Sequence, residues 1–271
     1  MGGLGNQLFQ IFTTISYAIK CKKQFGFLYT DYVGFGTTIR RSTYWNSLFK
    51  SLGKYVHKTL PAMTYIKESN FSYKEIEKIG DENICLFGYF QSYKYFQQYS
   101  SIIIRLLRIG ENKQFLIEKS GILDINEFVS IHFRLGDYKL IPENYTILNY
   151  EYYEKSLEFI ISQKVNINKV LYFCEEQDIV DVYEIIKKLE VKFPFIIFLR
   201  IDSKFEDWEQ LLLMSCCKHN IIANSSFSWW AAYLNNNSNK IVCYPCQWFG
   251  PNKGDVNTND LFLPNWFKIT F

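Results

Sequence analysis

The second half of the chain alternates short apolar segments with longer segments of helical periodicity, and this alternation constrains the fold more than any other feature. Short segments rich in Ile, Val and Phe favour buried strands, whereas apolar residues at every third or fourth position favour helices. Strands separated by helices predict a parallel sheet with right-handed crossovers. We therefore expect an α/β protein whose second half is a Rossmann-like domain with a five-stranded parallel sheet. The predicted strands are 128–133, 169–174, 195–201, 220–223 and 240–244, and the predicted helices are 150–163, 177–190, 205–217 and 227–234.

The first half has a weaker pattern, in which a glycine-rich loop leads into a helix. Apolar residues recur at helical spacing from Asn6 to about Cys21. Further elements are expected as strands at 25–32 and 83–88, a helix that ends near Arg108, and a helix with a turn at 113–126. We place the domain boundary near residue 125, which predicts domains at 1–125 and 126–271.

Composition and charge exclude several classes of protein. The 271 residues are 48% hydrophobic and 21% charged, which is typical of a globular chain. A formal net charge of +3, without a dense Lys/Arg block, argues against nucleic-acid binding. No apolar segment approaches the roughly 20 residues that a membrane-spanning helix requires, so we expect a soluble protein with no transmembrane segment.

The cysteines bear on cellular compartment and metal content. Seven cysteines, an odd number, without a signal-peptide pattern favour reduced thiols and a cytoplasmic location. Cys216, Cys217 and His219 are followed by Cys243 and Cys246, but the second CxxC or HxxxH partner typical of zinc sites is missing. We therefore expect no metal site.

A polar cluster follows the first predicted strand of the second half. It lies at the carboxyl end of that strand, which is the edge where open α/β sheets bind ligands. The guanidinium of Arg134 offers a fixed fork of donors that suits two phosphate oxygens. The same residues are compatible with a charged turn in which Arg134 and Asp137 only pair with each other. The cluster consists of His132, Arg134, Gly136 and Asp137.

A second polar stretch, residues 224–230, follows another predicted strand and begins a helix. Asn224 or Ser225 is suited to cap that helix, and the same helix N-terminus offers N–H groups and hydroxyls to a phosphate. An ordinary capped helix would show the same pattern, and Trp229 and Trp230 are better explained as core packing. Because both polar stretches follow strands of one parallel sheet, we expect them at the same edge.

A third stretch, Gly-Gly-Leu-Gly-Asn-Gln-Leu-Phe-Gln at 2–10, opens the chain. A glycine-rich loop that enters a helix can bind an anion, because the first backbone N–H groups of a helix lack intrahelical partners. The stretch is not a P-loop, since no Gly-Lys-Ser/Thr follows.

Together these stretches resemble the α-1,2-fucosyltransferases of glycosyltransferase family 11. The matching motifs occur in one order, with the glycine-rich stretch first, then His-Phe-Arg-Leu-Gly-Asp-Tyr at 132–138 and Asn-Ser-Ser-Phe-Ser-Trp-Trp at 224–230. The segment 88–96 and the pattern from Asp207 to Asn224 resemble that family as well. The resemblance runs from the first residues to about Pro245, which is nearly the whole chain.

The resemblance implies a GT-B-like enzyme with two Rossmann-like domains facing across a cleft. The first domain would lie on the acceptor side, and the second would hold most of the nucleotide sugar. The implied reaction is inverting transfer of fucose from GDP-β-L-fucose to the 2-hydroxyl of a terminal galactose-type glycan. Neither a metal ion nor a cofactor is implied.

Matched motif by motif, the resemblance also implies roles for individual residues. Arg134 would bind the β-phosphate, His132 would lie beside the nucleotide, and Asp137 would fix the geometry of the loop that contains Arg134. A carboxylate at Glu175 would hold the guanine edge. The remaining donor-binding residues would be Gly3, Gly5, Asn6, Gln7, Asn224, Ser225, Ser226 and Phe227.

The chain departs from the family pattern at three places. The family usually has a second arginine where this chain has Leu135, and it often has Ser-Asp-Asp where this chain has Cys-Glu-Glu at 174–176. Relatives also begin with an apolar strand before the glycine-rich loop. Either the recorded start lies too late or the first sheet lacks a strand.

Two further questions stay open at the level of the sequence. Asp137 and Glu143 are candidates for the general base, and the reaction could also proceed with late proton transfer and no dedicated base. The alternatives to the leading hypothesis are another GDP-sugar fucosyltransferase with a different linkage and an inactive relative that binds nucleotide or glycan. The acceptor identity and the oligomeric state do not follow from the sequence.

Overall fold

The computed structural model describes residues 2–34, 40–80, 82–254 and 256–271. These residues alternate between helices and strands, which confirms the predicted α/β class. The helices are α1 (Leu4–Cys21), α2 (Ser100–Leu106), α3 (Ile109–Ser120), α4 (Tyr150–Ser162), α5 (Ile179–Lys192), α6 (Asp207–Met214) and α7 (Ser226–Leu234). The strands are β1 (Phe27–Leu28), β2 (Tyr32–Val33), β3 (Arg41–Ser42), β4 (Val56–His57), β5 (Thr64–Lys67), β6 (Ile84–Phe87), β7 (Val129–His132), β8 (Lys169–Phe173), β9 (Ile197–Arg200), β10 (His219–Ile221), β11 (Val242–Pro245) and β12 (Phe267–Ile269).

The chain divides into two compact units, and the division differs from the predicted boundary near residue 125. The first unit comprises Met1–Asn112 with Asn257–Leu263, and the second comprises Lys113–Val256 with Pro264–Phe271. The late segment belongs to the first unit because Asp260 is bonded there. Its carboxylate accepts a hydrogen bond from the N–H of Tyr73 (2.9 Å), and its carbonyl accepts one from the hydroxyl of Ser92 (2.6 Å).

The second unit is built on a parallel sheet of six strands in the order β12-β11-β10-β7-β8-β9. The five predicted strands are all present, and β12 adds a sixth strand at one edge. A segment of three residues, Phe-Lys-Ile, is too short to show a strand periodicity, so the sequence did not predict β12. The prediction of a parallel sheet in this half is confirmed.

The register of the central strands determines where the polar loops emerge. All four residues of β7 are buried. His132 at the end of β7 pairs with Phe173 at the end of β8, and Ile131 pairs with Ile221 at the end of β10. Because these parallel strands end nearly level, the loops that follow them leave the sheet side by side. The second-half candidate residues lie in these three loops or directly beside them, at the end of β7 and the start of α7.

The first unit has shorter strands, which pair two at a time among the described residues. The pairs β1–β4 and β5–β6 are parallel, and β2–β3 is antiparallel. One face of α1 packs on Phe96, whose ring centroid lies 5.9 Å from that of Phe9 and 5.4 Å from that of Phe12. Residues of α1, β1 and β6 border a cavity of about 610 Å³. The segment 25–32, predicted as one strand, instead contains β1 and the first residue of β2, each of which is two residues long.

Candidate functional site

Arg134 lies in the loop after β7, where two carboxylates hold its guanidinium. One terminal nitrogen donates to Asp137 three residues later, and the other donates to Glu175 in the loop after β8. The guanidinium also lies over the ring of Tyr138, 4.9 Å from the ring centroid. The Arg134 side chain is 15% exposed, against 42% for Glu175. The sheet edge thus presents a cation whose orientation is set before any ligand arrives.

Gly136 occupies a position in this loop that a larger residue would strain. Its φ of +32° lies in a region that L side chains rarely adopt. A Cβ atom there would lie 2.8 Å from a carboxylate oxygen of Glu175. Glycine therefore allows the loop to turn closely against the carboxylate that pairs with Arg134.

His132 is buried and uncharged at neutral pH. Its Nδ1 lies 3.0 Å from the hydroxyl oxygen of Ser228, and its ring centroid lies 5.3 Å from that of Phe227. Burial, and secondarily the charge of Arg134, lowers the pKa of His132 to about 3. His132 can therefore contribute hydrogen bonding and packing to the site, but not a positive charge.

Tyr138 connects the Arg134 loop to the segment before α7. Its hydroxyl donates a hydrogen bond to the carbonyl of Asn224 (3.1 Å), and its ring stacks on Tyr145 with centroids 4.2 Å apart. Burial raises the pKa of Tyr138, so the hydroxyl stays a donor. With the His132–Ser228 contact, this bond joins the two polar stretches of the second half at one edge, as the sequence predicts.

Asn224 uses its side-chain amide to hold neighbouring loops. Its Nδ2 donates to the carbonyl oxygens of Thr146 (2.9 Å) and Trp248 (3.0 Å), and the residue is 1% exposed. Both amide hydrogens are used in these bonds. The geometry gives the Asn224 side chain a structural role, and its role in donor binding stays a prediction.

Replacement of Asn224 by leucine is expected to lower the free energy of unfolding by about 2–6 kcal/mol. Leucine has a similar size but would leave two carbonyl oxygens without a donor, at roughly 1–3 kcal/mol each. Urea denaturation measures the change, with Asn236→Leu as the matched control at an exposed position. Equal stability of the two variants would show that the Asn224 bonds do not stabilise the loops.

The N-terminus of α7 presents the predicted serines. The hydroxyl of Ser225 accepts a hydrogen bond from the N–H of Phe227 (3.3 Å) and so caps the helix. Ser226 and Phe227 are half-buried, whereas Trp229 and Trp230 are fully buried, which confirms that the tryptophans belong to the core. The first turn of α7 thus reaches the same edge of the sheet as the Arg134 loop.

The glycine-rich stretch lies in the first unit and has less loop than predicted. Because α1 begins at Leu4, Gly5 belongs to the first helical turn, and Gly3 is the N-cap residue. Gly2 is the conformationally constrained glycine. Its φ is +77°, and a Cβ atom would lie 2.4 Å from Nδ2 of Asn6.

Asn6 and Gln7 both make side-chain hydrogen bonds within the first unit. The Oδ1 of Asn6 accepts a hydrogen bond from Nε2 of Gln91 (2.6 Å). This bond joins α1 to segment 88–96, one of the segments that resemble the fucosyltransferases. The amide of Gln7 donates to the carbonyl oxygens of Gly2 (3.1 Å) and Ser42 (2.9 Å). Gln7 therefore supports the turn that precedes α1.

Leu135 lies in the core of the second unit, and Glu143 lies at the surface. Leu135, which stands where the family usually has an arginine, is 4% exposed and packs in the hydrophobic core of the second unit. This departure therefore takes no cation from the cluster around Arg134. Glu143 is exposed, and its backbone carbonyl accepts a hydrogen bond from the N–H of Asn252 (2.8 Å).

Three residues that bond to candidate residues were assigned no role from the sequence, namely Tyr138 and Asp178 in the second unit and Gln91 in the first. Tyr138 was part of a motif that the chain shares with the family, and Gln91 lay in another such segment, so a signal for both existed. Asp178 accepts a hydrogen bond from the N–H of Gly136, and no pattern in the sequence indicated it.

Three further features of the described residues are the state of the cysteines, the grouping of possible metal ligands and the polarity of the helices. The seven cysteines are free thiols. Among residues 2–34, 40–80, 82–254 and 256–271, no group of three His, Cys, Asp or Glu side chains is arranged to hold a metal ion. Within the same described ranges, each helix is too short or too polar to cross a membrane.

Comparison with known sequences links this geometry to a family. Residues 47–270 match glycosyl transferase family 11, so the match includes the loops after β7, β8 and β10 and begins after the glycine-rich stretch. The O-antigen biosynthesis glycosyltransferase WbnK of Escherichia coli is 30% identical over 68% of this chain and 60% of its own length. An alpha-1,2-colitosyltransferase of Escherichia coli is 28% identical over 83% of this chain and 75% of its own length.

A weaker likeness extends to a solved structure. ADP-heptose LPS heptosyltransferase II of Escherichia coli superimposes with a TM-score of 0.40 at 14% identity. The superposition covers 59% of this chain and 43% of the heptosyltransferase.

Proposed function

The chain belongs to glycosyltransferase family 11, and from that premise we propose that it transfers L-fucose from GDP-β-L-fucose to the 2-hydroxyl of a terminal galactose-type acceptor. The transfer inverts the anomeric configuration and uses no metal ion. The observation that supports this most is Arg134, a preoriented guanidinium at the carboxyl edge of the parallel sheet. GDP leaves with growing negative charge, and fixed donors in a transferase site stabilise such charge.

The proposed donor site lies in the second unit. Arg134 binds the β-phosphate, while the hydroxyls of Ser225 and Ser226 and the N-terminal amides of α7 donate to the diphosphate. The phosphate replaces Glu175 on the guanidinium, because Glu175 is the more exposed of the two carboxylates that pair with Arg134. The released Glu175 carboxylate is then available to the guanine edge.

The proposed linkage is supported by one relative, whereas fucose as the sugar rests on the resemblance of the motifs to α-1,2-fucosyltransferases. The name of one relative specifies an α-1,2 linkage, and that relative matches 83% of this chain. Its name also specifies colitose in place of fucose. A second candidate function is therefore the transfer of colitose in the same linkage, with the same role for Arg134.

The acceptor hydroxyl must lose a proton during transfer. Asp137 is paired with Arg134 and is suited to fixing the loop. Glu143 is exposed in the chain segment that follows this loop, and it is the better candidate of the two for general base.

A transfer assay tests the proposal. GDP-fucose is incubated with lactose or N-acetyllactosamine in the presence of EDTA, and the linkage is determined by NMR. A product fucosylated at the 2-hydroxyl of galactose is expected, with the same rate when Mg²⁺ replaces EDTA. Product from a colitose donor alone would favour the second candidate. Binding of GDP-fucose without product from either donor on any galactoside would contradict both candidates and favour an inactive relative.

A further inference from the structure

Asp178 occupies a helix-capping position but uses its carboxylate elsewhere. It is the N-cap residue of α5, yet its side chain makes no capping hydrogen bond to that helix. Its Oδ2 instead accepts a hydrogen bond from the N–H of Gly136 (2.6 Å), and its Oδ1 accepts one from Nζ of Lys139 (2.7 Å). The residue is 2% exposed. Asp178 is the last residue of a 3-10 turn (Glu176–Asp178) that runs into α5, and its φ of −100° and ψ of 1° are not those of a capping aspartate, so its carboxylate is available to the neighbouring loop.

The carboxylate of Asp178 holds the turn that contains Arg134 and Asp137 at two points. Gly136 is the residue of that turn with positive φ, and Lys139 lies three residues further along. Both bonds are charge-assisted, which makes them stronger than bonds between neutral groups. Lys139 is also paired with Asp181, which is 59% exposed. The turn is thereby attached to α5 through a buried carboxylate.

The direction of the Arg134 guanidinium depends on this turn. Arg134 is followed by buried Leu135, and its guanidinium bonds to Asp137 within the same turn. Its second partner, Glu175, lies three residues before Asp178 in the loop after β8. The loop after β8 therefore contributes one carboxylate to the guanidinium and another to the backbone that carries it. Loss of the second would let the turn move relative to the sheet edge.

We propose that Asp178 is a positioning residue that fixes the Arg134 turn for binding and turnover of the nucleotide-sugar donor. This proposal rests on the proposed function, in which Arg134 binds the donor phosphate. Asp178 itself touches no substrate. It acts by holding the N–H of Gly136 and the ammonium of Lys139 at one place.

The substitution Asp178→Ser separates positioning from stability. Serine is small and polar but too short to replace the carboxylate at Gly136 and Lys139. Loss of these two bonds should lower the melting temperature, so turnover is measured at a temperature where the variant is fully folded. kcat with GDP-fucose should fall roughly ten- to a hundredfold, the effect of losing a hydrogen bond to a charged group. The KM for the acceptor should stay unchanged.

Two further variants sharpen the result. Asp178→Asn keeps an acceptor for the N–H of Gly136 and should retain more activity than Asp178→Ser. Asp181→Ser removes the exposed partner of Lys139 and should behave like the unchanged protein. Amide hydrogen exchange at Gly136 should be faster in Asp178→Ser and unaltered in Asp181→Ser.

Several outcomes would overturn the proposal. Normal kcat and normal amide exchange at Gly136 in Asp178→Ser would refute the positioning role and leave the proposed function standing. A loss of activity that matches the unfolded fraction at the assay temperature would assign Asp178 to stability. If the unchanged protein neither binds nor turns over GDP-fucose, the proposed function fails and the positioning role fails with it.

Discussion

Replacement of Arg134 by alanine is expected to lower turnover of GDP-fucose by roughly two to three orders of magnitude, because a single preorganised donor is often worth about 3–4 kcal/mol. The guanidinium supplies positive charge where the diphosphate leaves. Alanine would also remove the positive charge that balances the carboxylate of Asp137. The loop would then be more negative toward the departing GDP, which adds to the loss of the donor.

The measurement is kcat from the release of GDP, with folding verified by circular dichroism. Arg134→Lys keeps the charge but not the planar fork, so its turnover should lie between those of the alanine variant and the unchanged protein. Arg105→Ala, at an exposed position of α2, serves as the control and should have normal turnover. Near-normal turnover in a folded Arg134→Ala protein would remove Arg134 from the mechanism.

The second half of the fold was predictable because its central strand is buried on both faces. A strand in the middle of a parallel sheet is mostly apolar, so the segment 128–133 was recognisable, and β7 lies within it. The rule that ligands bind at the carboxyl ends of parallel strands then placed the Arg134 loop and the α7 N-terminus together. The contact of His132 with Ser228 is a direct consequence of that placement.

The first half was less predictable because four of its described strands are too short to show periodicity. β1, β2, β3 and β4 each contain two residues, and the alternation of a strand needs at least four. β6 has four residues and lies within the predicted strand 83–88. The start of α1 was misjudged by two residues. Glycine has low helix propensity, and here the buried face of α1 outweighs the cost of Gly5 in its first turn.

The charges around Arg134 could be identified from the sequence, but their pairing could not. Asp137 was an expected partner because it lies three residues away. Glu175 lies forty-one residues from Arg134, and only the register of β7 against β8 brings it to the guanidinium. Asp178 follows the same logic, since its bond to Gly136 spans forty-two residues. Long-range pairs of this kind require the sheet before they can be assigned.

Buried histidines are expected to make the protein sensitive to acid. Burial lowers the pKa of His132 to about 3 and that of His219 to about 4, whereas an unfolded histidine has a pKa of about 6.5. Below pH 6.5 these two histidines therefore bind protons in the unfolded chain but not in the folded chain. The stabilisation is complete above pH 6.5 and is lost as the pH falls toward 4. In that range each histidine lowers the free energy of unfolding by roughly 1.4 kcal/mol for every pH unit of acidification.

Urea denaturation between pH 7 and pH 4.5 measures how the free energy of unfolding changes with pH. This slope can be compared between variants that differ in absolute stability. His132→Gln should reduce the slope by the contribution of one histidine, because glutamine does not titrate. His219→Gln should reduce the slope by a similar amount, because burial also lowers the pKa of His219. An unchanged slope in His132→Gln would mean that His132 is protonated in the folded protein below pH 6.5. A charged imidazolium beside Arg134 would then be a second cation for the diphosphate, and the assignment of positive charge at the site to Arg134 would need revision.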